Sequence, residues 1–156
     1  MKRHIQLQPL SRQHHNGLLA ALLIKKGISK AADINIMAAF IIDCWQKDLQ
    51  SHFLDEENFL IPALSKTAFD AALTKRLLDE HATLRSYIHS LQKGQVNISV
   101  IENFTGLLEQ HIRFEERIYF PEAEKFLSEE QLEEVGKQLH EDDNANCINY
   151  PVKFWA

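Results

Sequence analysis

Apolar residues recur along this chain at intervals of three and four rather than two, which predicts helices throughout. A first helix is expected over about Arg12–Lys26, capped by Ser11 and closed by Gly27, with Ser11, His15, Leu18 and Leu22 on its inward face. A second starts between Lys30 and Ile36 and runs to about Ile61; its stripe is Ile34, Ala38, Ile41, Trp45, Leu49, His52, Glu56, Leu60. The third, about Ala68–Lys93 and ended by Gly94, turns Leu73, Leu77, His81, Leu84, Ile88 and Leu91 inward. The fourth, about Ile98–Phe126, turns in Ile101, Phe104, Leu108, His111, Glu115 and Ile118. Pro62 and Pro121 interrupt these patterns and are expected to end or kink their helices. Ser128 and Gln131 form a capping box for a short fifth helix reaching about Glu141. Beyond it the periodicity is lost, with Tyr150, Phe154 and Trp155 available to pack back on the body. The expected fold is all-α, a single domain over 1–156. An up-down-up-down antiparallel four-helix bundle spans about 10–126, followed by the short helix and tail over 127–156.

Four predicted helices thus carry a histidine on the face that should be core, and two add a glutamate one turn later. A buried carboxylate is costly unless it is paired or bound to a metal. The anomaly also repeats. His52 to Pro62 (HFLDEENFLIP) aligns without gaps on His111 to Pro121 (HIRFEERIYFP), and His15 to Leu18 (HNGL) matches His81 to Leu84 (HATL). This alignment favours His15 as the first inward histidine. His14 competes with it, because Leu10, His14, Leu18 and Ala21 also make an acceptable stripe. The chain therefore reads as two helical hairpins, each supplying a His and then a His-x3-Glu.

Residues four apart on a helix differ by about 40° around it and about 6 Å along it, so His and Glu at that spacing approach one point. Imidazole suits iron, zinc or copper, and carboxylates bridge two ions. Four histidines and two glutamates would give each of two ions two nitrogens and two bridging oxygens. Positions stay open for an oxo or hydroxo bridge and for a small exogenous ligand. Heights agree for His81 with His111 and for His52 with His81, whose midpoints fall in predicted turns. His15 and His52 would be roughly 15 Å out of level if the second helix began at Ala31, so it must start later or the connection must climb.

Charge and composition narrow the alternatives. Seventeen Lys and Arg against twenty-two Asp and Glu give a net charge of −5, with no basic run, so neither nucleic acid nor an acidic membrane surface is an expected partner. No stretch has the length and apolarity of a membrane span. Cys44 and Cys147 form no CxxC pair and read as reduced thiols, which predicts a cytoplasmic protein. Zincin, nucleophile-triad and phosphate-loop signatures are absent.

At these residues the chain resembles the hemerythrin-like, or HHE cation-binding, domains over about residues 10–126. The resemblance implies a non-haem di-iron centre within a four-helix bundle. Its ligands would be His15, His52, Glu56, His81, His111 and Glu115, with the two glutamates bridging. His14, Glu57, Glu116, Tyr119 and His89 are candidates for supporting the centre or as alternate ligands. Arg85 stands where oxygen-carrying hemerythrins have a histidine four after that of the third helix, and His-x3-Glu replaces their final His-x4-Asp. The donor set is instead similar to those of iron–sulfur cluster repair di-iron proteins and of an iron-sensing hemerythrin domain. The expected function is engagement of O2, NO or a reactive oxygen species such as peroxide, in sensing, protection or iron handling. A di-iron oxidoreductase or cluster repair factor is the alternative, and a zinc-stabilised or metal-free interaction module a further one. Residue types alone leave zinc and manganese open, and a homodimer is open as well.

Overall fold

The computed structural model describes residues 2–140 and 149–156. A 3-10 turn, Ile5–Leu7, leads into helix α1, Gln8–Ser29. Helix α2 covers 34–65 and α3 Ala71–Gln92; α4 covers 98–126 and α5 Glu129–Gln138. No strand occurs among the described residues, and no helix is long and apolar enough to cross a membrane. Short connections make neighbouring helices antiparallel. Helix α4 packs on α1 and α3, while α5 lies against the N-terminal 3-10 turn.

Side-chain caps set three of the starts. Asp33 accepts from Asn35 and Ile36 for α2, Asp70 from Ala72 for α3, and Asn97 from Val100 for α4. Ser128 and Gln131 close the expected capping box on α5. Gly94, at φ 82°, ends α3 in the left-handed conformation. The first helix departs from expectation at both ends. Pro9 sits in its opening turn, where no N–H is needed, so the helix starts before Ser11 and frees that hydroxyl. Gly27 does not close it: α1 continues to Ser29, and Ala31 takes the positive φ of 53°. A Cβ on Gly27 would lie 2.7 Å from Phe154 Cδ1 and 2.9 Å from Met37 Sδ, so this glycine makes room for the tail.

The inward face of α1 also differs. Leu18 and Leu22 are partly exposed, whereas Leu10, His14, Gly17, Ala21 and Ile24 are buried. Small residues built this face, and a count of large apolar side chains passes over them. A Cβ at Gly17 would stand 2.9 Å from Ile112 Cδ1, a measure of how closely α1 and α4 approach.

The prolines do not end their helices either. Each follows a π-turn: Ile61 N–H reaches Glu56 O, and Phe120 N–H reaches Glu115 O. The wider turn absorbs the proline, and helix continues to Ser65 and Phe126. The carbonyl of Glu116 is taken by Arg3 Nη2 at 2.7 Å. In the same turn Tyr119 becomes fully buried, while Ile118, expected inside, points out. A third π-turn, Trp45–Leu49, precedes His52.

Two apolar clusters fill the bundle. One gathers residues such as Ile24, Phe40, Ile41, Leu84 and Phe104, against which Tyr150, Phe154 and Trp155 pack, as expected of the tail. The other holds Leu10, Leu60, Leu77, Phe114 and Phe120, and takes in Leu132 and Val135 of α5. Cys44 is a buried free thiol, while Cys147 lies outside the described residues.

Candidate metal centre

Within the bundle six buried side chains meet: His14 of α1, His52 and Glu56 of α2, His81 of α3, and His111 and Glu115 of α4. Their donor atoms form two overlapping groups, His14–His52–Glu56–Glu115 and Glu56–His81–His111–Glu115, and within each all lie within 4.8 Å of one another. His14 and His52 bring their Nε2 atoms to 3.0 Å, and His81 and His111 theirs to 3.2 Å. Glu56 spans the groups, with Oε2 3.3 Å from His52 Nε2 and Oε1 3.1 Å from His81 Nε2. Glu115 Oε1 lies 2.7 Å from His14 Nε2, 3.4 Å from His111 Nε2 and 3.8 Å from His52 Nε2.

The outer edge of each ring explains its orientation. Nδ1 of His14 donates to Glu116 at 2.8 Å, that of His52 to Gln13 Oε1 at 2.7 Å, that of His81 to Glu57 at 2.7 Å, and that of His111 to Glu80 at 2.8 Å. Each acceptor fixes a hydrogen on Nδ1 and leaves Nε2 to face the centre. The acceptors are themselves held. Arg85 grips Glu57 through two bonds of 2.7 and 2.9 Å; Ser11 donates to Glu116 at 2.7 Å; Arg76 pairs with Glu80 at 3.2 Å. Gln13 Nε2 donates to the His140 carbonyl at 2.8 Å, and Asp55 anchors His140 through its backbone N–H and Nδ1. Phe53 stacks on His81 at 3.9 Å and 2°, and Phe120 on His14 at 5.3 Å and 4°, so hydrocarbon walls the donors.

The interior of this shell is rich in lone pairs and poor in protons. Both Glu56 oxygens and Glu115 Oε2 are buried with no hydrogen-bond partner. Stranding such atoms costs about 1–3 kcal/mol each, and more when charged. Protons offer one relief. Burial and the neighbouring Glu115 push the Glu56 carboxyl well above its ordinary range. Burial opposes charge on His111, but Glu115 and Glu80 outweigh it and raise the ring to about 9. His14 is likewise raised, its bonds to Glu115 and Glu116 overcoming burial. Burial lowers His52 to about 4 and also lowers His81. Against its own burial, Glu115 is held well below the carboxylate range by His111, His14 and His52. Cations offer the other relief, and the donor set fits them: nitrogen pairs at both ends and carboxylates between.

Five of the six residues predicted as ligands come together; His15 does not. It is exposed on α1, and His14 occupies the inward place. The one-residue error lay in the repeat alignment. Pairing Gln13-His14 with Glu80-His81 aligns both the inward histidine and the residue before it, which receives the Nδ1–H of the next helix. That preceding residue was the unused signal for Gln13 and Glu80, whereas Arg3 and Ser11 had none. Glu57 and Glu116 orient rings and lie outside both donor groups. His89 is exposed near the end of α3, away from the cluster. Tyr119 is fully buried, its hydroxyl sharing a 2.9 Å hydrogen bond with Thr74, and burial raises its pKa. A surface groove of about 640 Å³ between α3 and α4 lies outside the donor groups but is lined by Glu80, which links it to His111.

The level problem between the first two helices also resolves. From His14 to Ser29 is 15 residues and from Ile34 to His52 is 18, a difference of 3, or about 4.5 Å. The later start of α2, the longer α1 and the place of His14 one residue before His15 together supply the correction. Two overlapping His/Glu groups joined by shared glutamates make a binuclear arrangement, and residues 9–123 match the model of the Hemerythrin HHE cation binding domain. The chain belongs to this hemerythrin family. No curated protein and no solved structure gave a match. In this HHE domain the family's cation-binding character coincides with the one buried cluster that has oxygen atoms to spare among the described residues.

Proposed function

We propose that this HHE domain holds two non-haem iron ions, one between His14 and His52 and one between His81 and His111, with Glu56 and Glu115 shared. The observation that carries the reading is the inward convergence of four Nε2 atoms on carboxylates whose oxygens are otherwise unpartnered. Bound iron would supply one-electron redox chemistry and a vacant position for a small oxidant such as O2, NO or peroxide. The chain's own residues orient the imidazoles, exclude water through Phe53 and Phe120, and keep larger molecules out. Arg85 is engaged with Glu57, so the third helix offers no second ring one turn beyond His81. That favours sensing, protection or iron handling over reversible oxygen carriage, and it supports a donor set like that of iron–sulfur cluster repair proteins.

Anaerobic reconstitution with ferrous iron tests the proposal. Two irons per chain are expected, with new visible absorption on oxidation, and the His111→Ala/Glu115→Ala double variant should lose at least one of them. Fewer than one tightly held iron per wild-type chain would overturn it.

A further inference from the structure

The two halves of the centre match in their inner donors and differ in one outer group. His14, His81 and His111 each give their Nδ1–H to a carboxylate, from Glu116, Glu57 and Glu80. His52 gives its hydrogen to Gln13, a neutral amide. The two acceptors are equivalent by position, each immediately preceding the inward histidine of its hairpin. The substitution of amide for carboxylate is therefore a real asymmetry in a repeated design. An imidazole that donates to a carboxylate gains anionic character and becomes a stronger ligand, whereas an amide oxygen gives much less. Arg76 bonds the far oxygen of Glu80 and leaves the other oxygen to His111. The Gln13 amide is fixed from behind, because its Nε2 donates to the His140 carbonyl. Its oxygen therefore stays on His52.

We propose that the two cation positions are unequal: the His81/His111 position fills first and holds its ion more tightly, and Gln13 and Glu80 are the positioning residues that set the order. This rests on the binuclear reading above. Changing such an outer partner typically alters metal affinity by about 10–100-fold, which sets the expected separation between the two steps.

Zinc ion serves as a diamagnetic probe, titrated into the metal-free protein and followed by calorimetry and by imidazole ¹H–¹⁵N spectra. With one equivalent, the His81 and His111 signals should shift while those of His14 and His52 stay largely in place; the second equivalent should move the latter. Glu80→Gln, nearly isosteric, should weaken the first step by about 10-fold or more and bring the two steps together. Gln13→Glu should strengthen the second step. Its loss of the His140 contact is controlled by Gln13→Met, which removes that contact without adding charge and should not tighten binding. Two indistinguishable steps, or first filling at His14 and His52, would overturn the inequality while leaving the binuclear reading intact. Failure to bind any ion would instead remove the binuclear reading.

Discussion

Cation uptake by this centre must displace protons, and the structure says from where. In the metal-free chain His111 has a pKa of about 9, so at pH 7 its ring is almost wholly protonated, with Nε2 directed at Glu115 3.4 Å away. A cation taking that nitrogen expels one proton. Glu56, raised well above the carboxylate range, and His14, also raised, add to the release. His52, at about 4, is already neutral and adds none, and His81 is lowered as well. Each displaced proton makes the logarithm of affinity rise by about one per pH unit, or ~1.4 kcal/mol. From pH 6 to 8, His111 alone therefore strengthens binding about 100-fold, and because that gain falls on the His81/His111 position, the preference for filling it first should widen toward pH 8. Zinc titrations in buffers of different ionisation enthalpy count the protons directly, and one to three per chain are expected. His111→Gln should remove one of them. A binding heat that is the same in every buffer, together with an affinity flat from pH 6 to 8, would refute the electrostatic reasoning.

The same groups set the alkaline limit of the metal-free fold. His111 has its pKa raised in the folded state, so its contribution is complete below about pH 6.5 and is lost as pH climbs through 9; Glu56 and His14 act in the same sense. For His111 the loss is roughly 3 kcal/mol. Urea midpoints of chelated protein should fall between pH 6.5 and 9.5, and a flat or rising midpoint contradicts this. Gly27→Ala should destabilise the chain by about 1–3 kcal/mol, because its Cβ meets Phe154 and Met37. Differential scanning calorimetry and Trp155 fluorescence would record the lower melting point and the displaced tail. A melting point raised by the better helix former would show that the tail yields at no cost.

The inward stripes of α2 and α3 were legible because large apolar residues recur at helical spacing and His52, Glu56 and His81 fall in phase with them. On α4 the same phase holds as far as Glu115 and then fails at Ile118, because a π-turn is invisible to a fixed period of 3.6. The face of α1 was illegible for another reason. Leu18 belongs to the stripes of both His14 and His15, and Gly17 and Ala21 are buried for their lack of bulk, so apolar spacing did not separate the two histidines and the repeat alignment chose the wrong one. Pro62 and Pro121 were expected to end or kink their helices, although the fourth helix was already expected to run past Pro121 to Phe126. Only the backbone reveals that the preceding residues have already made room.

Those proline-closed turns bear on what the protein does between loads. A π-turn in an unconstrained helix can relax to ordinary α geometry by shifting its hydrogen bonds one residue. Pro62 and Pro121 lack the N–H that such a shift requires, and their rings clash with it. The backbone beneath Glu56 and Glu115 is thus ratcheted in its binding shape. A cage emptied of cations would keep this backbone, so Glu56 and Glu115 would start each arrival from the same helix positions.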